Sequence, residues 1–177
     1  MERFEVKRGL IKIIDSEGGL NSLGDKHFDN VNNTENGGFN ASWGLLIDIN
    51  AHYDADGKLV VDVQQLKGED LQNFLEKEGG RDEAMESRKR WSTFLDESTG
   101  YNAKQRGDKA KENGKKVAKA NSGINMARKL MALSSKVTDE KRAKAEEMIA
   151  EVEQKLKEGN ATRALSLSAK INKMLES

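Results

Sequence analysis

The sequence predicts an α+β fold: a small N-terminal antiparallel sheet of about three strands, followed by a helical C-terminal half that ends in an αα-hairpin. Two observations carry this. Apolar residues alternate through Trp43, Leu45, Ile47, Ile49, Ala51 and Tyr53, and again through Leu59, Val61 and Val63, the period of a half-buried strand. Beyond residue 138 the apolar spacing becomes three to four, the period of a helix with one buried face.

The elements follow in order. Residues 3–14 begin with alternation at Phe4 and Val6 and end in a β-branched run, which predicts a strand bent or bulged near Gly9. Residues 15–41 are rich in Asn, Gly, Asp and Ser, with Asn36-Gly37-Gly38 near the end, and read as a long loop. In 43–65 the parity of the apolar positions sets the register. A two-residue turn at Asp56-Gly57 would pair Tyr53 with Val60 and mix the faces. A five-residue loop, 54–58, pairs Tyr53 with Leu59, Ala51 with Val61 and Ile49 with Val63, leaving one apolar face for helices to cover. Asp48, Asn50 and His52 fall on the opposite face.

Residues 69–78 predict a short helix with Leu71, Phe74 and Leu75 inward, stopped by Gly79-Gly80. Residues 82–98 predict another, with Met85, Trp91, Phe94 and Leu95 on one side and Arg88-Lys89-Arg90 within it. The expected core joins Trp43, Leu45, Ile47, Ile49, Val61 and Val63 to Leu71, Phe74, Trp91 and Leu95. Residues 101–134 are basic and intermittently helical. Val117, Asn121, Ile124, Arg128 and Met131 fall near one stripe flanked by Ala120 and Ala127, while Gly107, Gly114 and Gly123 each weaken a helix by about 1 kcal/mol relative to Ala. A helix over 138–158 has Thr138 as N-cap, Asp139 and Glu140 in its first turn, and Ala145, Met148, Ile149, Val152 and Leu156 as its apolar face. Gly159-Asn160 ends it, and a last helix, 161–176, folds back antiparallel. The sequence holds no second copy of the hairpin, whereas a solenoid needs several repeats, so a solenoid is not the expectation.

The chain of 177 residues is 36% hydrophobic and 34% charged, with no net charge, no cysteine and no proline. Zero net charge argues against wholesale disorder. The charge is nevertheless partitioned into three expected domains. Residues 1–100 form an acidic α+β domain, with 12 Lys/Arg against 20 Asp/Glu. Residues 101–136 form a basic helical segment, with 10 Lys/Arg against only Asp108 and Glu112. Residues 137–177 form the hairpin, with eight of each sign. Blocks of opposite sign mark either internal docking or a surface for a charged partner.

Catalytic, metal and cofactor signatures are wanting. Without cysteine there are no disulfides, thiolate metal sites or cysteine nucleophiles. Asp54-Ala55-Asp56-Gly57 has the look of a calcium loop, but Val63 stands where the bidentate Glu is required, so it reads as a hairpin turn. The only histidines, His27 and His52, lack metal-ligand spacing. His52 with Asp48 or Asp62 has the residue types of a base and its orienter, yet the same spacing describes a solvent-facing polar row. There is no phosphate-binding loop, dinucleotide fingerprint or nucleophile elbow. The expectation is a protein with no catalytic residues, no metal and no cofactor. No apolar run approaches the roughly 20 residues of a membrane span, and the first residues lack the apolar core of a secretory signal. No membrane partner and a cytoplasmic location are therefore expected.

The candidate binding residues are Lys104, Arg106, Lys109, Lys111, Lys115, Lys116, Lys119 and Lys129. Lys111, Lys115 and Lys119 are spaced i, i+4, i+8 and form one helical ridge, with Lys129 near the same azimuth and Val117, Ile124 and Met131 opposite. Such a face suits a phosphate backbone, where each cation displaces counterions, and Tyr101 offers an occasional stacking surface. The expected function is non-enzymatic binding or regulation through a polyanionic partner, nucleic acid or nucleoprotein. No motif for sequence-specific reading accompanies it. The alternative is a protein-interaction module, an adaptor, inhibitor or assembly subunit, or self-association, through the apolar face of the hairpin.

Overall fold

The computed structural model describes residues 1–176. The chain falls into two compact units, Met1–Gly107 and Asp108–Ser177.

The first unit is α+β. Its strands are β1 (Glu2–Phe4), β2 (Asp29–Asn33), β3 (Phe39–Trp43), β4 (Leu46–Tyr53) and β5 (Leu59–Gln65). Its helices are α1 (Leu10–Ser16), α2 (Gly19–Asp25), α3 (Gly68–Glu76) and α4 (Gly80–Thr99). The five strands form one antiparallel sheet in the order β1-β5-β4-β3-β2, larger than the three-stranded sheet expected.

Three departures from the sequence reading account for the difference. First, residues 3–14 are not one strand. The chain leaves β1 after Phe4 and turns at Gly9, whose φ of 85° is the left-handed region that an L side chain resists. It then enters α1, where Leu10 and Ile14, one turn apart, face the core. The β-branched run favours a strand locally, and the core contacts of Leu10 and Ile14 override it. Second, 15–41 is not a loop. Leu20 and Leu23 of α2, then Phe28, are buried, and β2 and β3 form a hairpin in which Asn33 pairs with Phe39. Widely spaced anchors among Asn and Gly give little periodicity to read. Third, the apolar alternation from Trp43 to Tyr53 is not one strand. Trp43 pairs with Leu46 across a turn at Gly44-Leu45, and the register shifts between Leu46 and Asp48. That irregularity reverses the parity of one residue: Leu46 is buried and Ile47 is 50% exposed, outside the core it was assigned to.

Beyond Asp48 the hairpin follows the register that parity required, with Ile49 opposite Val63, Ala51 opposite Val61 and Tyr53 opposite Leu59. Phe39, Ala41, Ile49, Ala51, Leu59 and Val61 share a core with Ile14 of α1, Leu20 and Leu23 of α2, and Ala84, Phe94 and Leu95 of α4. Phe94 packs edge-on against Phe28 at 5.2 Å and Phe39 at 5.5 Å, a geometry favoured by ring quadrupoles. Trp43, Val63, Phe74 and Trp91 flank this core half-buried. Met85 is exposed, because the inward stripe of α4 runs through Ala84, Ser87, Phe94 and Leu95.

The second unit contains most of α5 (Ala103–Leu133), together with α6 (Asp139–Lys157) and α7 (Ala161–Glu176). The start of α5 is a capping box that the sequence reading overlooked. Gln105 N donates to Asn102 Oδ1 at 2.9 Å, and Asn102 N donates to Gln105 Oε1 at 3.0 Å. The helix is continuous despite its glycines. Ala120, Ile124, Ala127 and Met131 are sealed against Ala145, Ile149 and Val152 of α6 and Ala164, Leu167 and Ile171 of α7, and tertiary burial outweighs propensity. The stripe is rotated from that expected: Asn121 and Arg128 are exposed. Thr138 caps α6, its hydroxyl accepting from Lys141 N at 3.3 Å.

Candidate functional site

The eight basic side chains singled out from the sequence separate into three environments. Arg106 is turned inward at 9% exposure. Its Nη1 donates to the Asp96 carboxylate and, at 2.6 Å, to the Tyr101 carbonyl, and its guanidinium lies 6.0 Å from the Phe4 ring centroid. It ties the end of α4 to the start of α5 and is not part of an exposed set.

Lys109 and Lys116 share Glu112, at 3.7 and 3.0 Å, and Lys116 also donates to the Thr162 hydroxyl at 3.3 Å. The hydrogen bond and charge of Lys116, with Lys109 behind them, hold the Glu112 carboxyl below the ordinary glutamate range. These two cations are partly neutralised by the protein itself.

Lys111, Lys115, Lys119 and Lys129 are exposed and make no ion pair among the described residues. At 100° per residue they fall within one quadrant of α5, opposite the buried Ala120, Ile124, Ala127 and Met131. Lys111 to Lys119 spans about 12 Å of helix axis, and Lys129 lies about 15 Å further on. Ser122 and Met126 lie in the same quadrant, and Met126 is exposed. Lys104 is likewise exposed and unpaired, on the part of α5 in the first unit. Tyr101, the expected stacking surface, is half-buried, its carbonyl engaged by Arg106.

Two basic residues outside the candidate set are engaged by the protein itself. Arg128 pairs with Glu153 at 2.9 Å. Arg142 donates to the carbonyls of Met131, Ser134 (3.2 Å) and Val137 (3.3 Å), satisfying acceptors at the end of α5 and in the connection to α6. An arginine early in the next helix was the only signal, and nothing in the spacing told its target. The apolar face of the hairpin is consumed internally, with Ile149 at 2% and Ile171 at 0% exposure against α5.

The residues considered for chemistry in the first unit are also placed. The uncovered sheet face carries a cross-strand row of Asn32, Asn40, Asn50 and Asp62, with His52 one rung along opposite Val60. Neither Asp48 nor Asp62 is hydrogen-bonded to His52, and the buried His52 Nδ1 has no partner. His27 Nε2 instead lies 2.7 Å from Glu97 Oε2. Asp54 accepts from Arg3 and from the backbone N–H groups of Asp56 and Lys58, the arrangement of a turn. Among the described residues no group of three or more acidic, histidine or cysteine side chains is placed to hold a metal ion. None of the described helices is long and apolar enough to cross a membrane.

Fold and site together define a two-unit α+β protein with a lysine-bearing helical face. Residues 1–112 match the family described as a domain of unknown function, DUF5611, and the chain belongs to that family. Neither a curated protein nor a solved structure matches it. The matched segment ends within α5, so it includes Lys104, Arg106, Lys109 and Lys111, and the remaining lysines of the face lie beyond it.

Proposed function

We propose that this is a non-enzymatic binding or regulatory protein that engages a polyanionic partner, nucleic acid or a nucleoprotein complex, through the exposed lysines of α5. The observation that carries the reading is the pairing pattern. Lys111, Lys115, Lys119 and Lys129 share one face and lack carboxylate partners, while Lys109, Lys116 and Arg128, off that face, are matched by Glu112 and Glu153. An unmatched row of like charges is unfavourable for the folded chain alone and favourable once anions displace its counterions. The opposite face is spent on packing, which fixes the lysines outward.

Capture from lysate with and without nuclease tests this. Recovered material should be lost on nuclease treatment, and the Lys111→Glu, Lys115→Glu, Lys119→Glu variant should recover none while keeping its helicity. Nuclease-insensitive capture that survives the triple substitution would overturn the proposal.

A further inference from the structure

The second unit has no ring with which to read a base. From residue 108 to the C-terminus the sequence contains no Phe, Trp, Tyr or His. Proteins that hold single strands combine a basic groove with aromatic side chains on which unstacked bases lie. This unit has the charge without the platform.

The distribution of the charge is equally informative. A helix lying in the major groove, about 12 Å wide, has phosphates on both walls and draws on cations along both flanks. Here the cations on the other sides of α5 are committed internally, Lys109 and Lys116 to Glu112 and Arg128 to Glu153, so none supplements the lysine face. The free ammonium groups occupy a single quadrant. Arginine, the side chain that most often reads guanine, is absent from that quadrant. The lysines are strung along about 27 Å of axis between Lys111 and Lys129, and each strand of a duplex presents a phosphate every ~3.4 Å of axis.

We infer that the α5 face is a sequence-independent contact for the phosphate backbone of a nucleic-acid duplex, lying along the backbone instead of entering a groove and engaging about four phosphates. The inference rests on the polyanion reading and specifies it: double-stranded, read by charge and not by base.

The test uses the full chain and fluorescence anisotropy with four probes: two 20-base-pair duplexes of unrelated sequence, one of their single strands, and heparin. The two duplexes should bind within about twofold of each other and the single strand several-fold more weakly. The logarithm of duplex affinity should fall with the logarithm of salt at a slope of about −3 to −4, as four released counterions require. Lys111→Gln, Lys115→Gln, Lys119→Gln should reduce that slope to about −1, with an unchanged melting temperature. The corresponding Glu variant should abolish binding. Single-strand binding as tight as the duplex, more than about tenfold discrimination between the duplexes, or binding to heparin alone overturns this inference and leaves the polyanion reading standing. Failure to bind all four probes at low salt overturns both.

Discussion

Asn172 Nδ2 donates to the Gly123 carbonyl at 3.0 Å, pinning α7 to α5 beside Ser168. A Cβ at position 123 would lie 2.9 Å from both Cβ and Oγ of Ser168, which is itself 2% exposed. Gly123→Ala would gain about 1 kcal/mol in helix propensity but force the helices apart, and overpacking of this kind costs about 1–3 kcal/mol. The variant should be destabilised in urea titrations, and Ser168→Gly in the same chain should recover part of the loss. A stabilised Gly123→Ala protein would show that the seam yields.

Arg106 should be a stability residue and not a binding residue. Arg106→Gln removes the charge-assisted bond to Asp96 and the bond to the Tyr101 carbonyl, at a cost of about 2 kcal/mol. Affinity for a polyanion should be unchanged within twofold, whereas loss of affinity without loss of stability would restore Arg106 to the binding set.

Lys115 and Lys116 are sequence neighbours with different electrostatic surroundings. Lys115→Gln should lower the salt slope of polyanion binding by about one unit. Lys116→Gln should lower it by less than half of that, since Lys116 already has Glu112 at 3.0 Å. Equal effects in side-by-side titrations would mean that the ion pair opens on binding.

Arg142→Met keeps the aliphatic stem and deletes three bonds to carbonyls between the end of α5 and the start of α6. Hydrogen exchange should accelerate at residues 130–137, and the second unit should lose about 1–3 kcal/mol. Unchanged exchange there would assign the helix end to the Thr138 cap alone.

Asp54 sets an acid limit on the first unit. Burial opposes its charge, but the hydrogen bond from Arg3, those from the Lys58 and Asp56 backbone and the attraction of Arg3 outweigh it, leaving the pKa below the ordinary value of 3.8. Its folded pKa lies below its unfolded one, so its stabilisation is present above about pH 4 and is lost as pH falls through the folded value. Asp54→Asn should therefore lower the melting temperature at pH 7, and the gap to wild type should close below pH 4. A gap independent of pH would make the role of Asp54 purely steric.

What the sequence made legible depended on how far local pattern and tertiary context agreed. The β4–β5 register could be derived because the two-residue turn at Asp56-Gly57 mixes the faces, whereas the loop over 54–58 keeps Ile49, Ala51 and Tyr53 on one face. The α6–α7 hairpin was legible from Thr138, the apolar stripe and Gly159-Asn160. Leu10 to Ile14 misled, because a β-branched run scores as strand whatever the chain does at Gly9. The elements within 15–41 were missed because Leu20, Leu23, Phe28 and Phe39 are anchors too sparse to show a period. At the candidate site the lysine ridge was readable from spacing alone. The pairing of Arg106 with Asp96 was not, since it depends on where α4 and α5 meet, and neither was the division of the lysines into paired and free, which Glu112 determines.

The confinement of every tryptophan and tyrosine to the first 101 residues has a practical corollary. Intrinsic emission from Trp43 and Trp91 reports on the α+β unit alone, while ellipticity at 222 nm is dominated by helices of both units. The molecule thus carries its own optical label on one half. Coincident midpoints from the two signals would identify a single cooperative transition, and separated midpoints would give each unit its own melting curve without any cut in the chain.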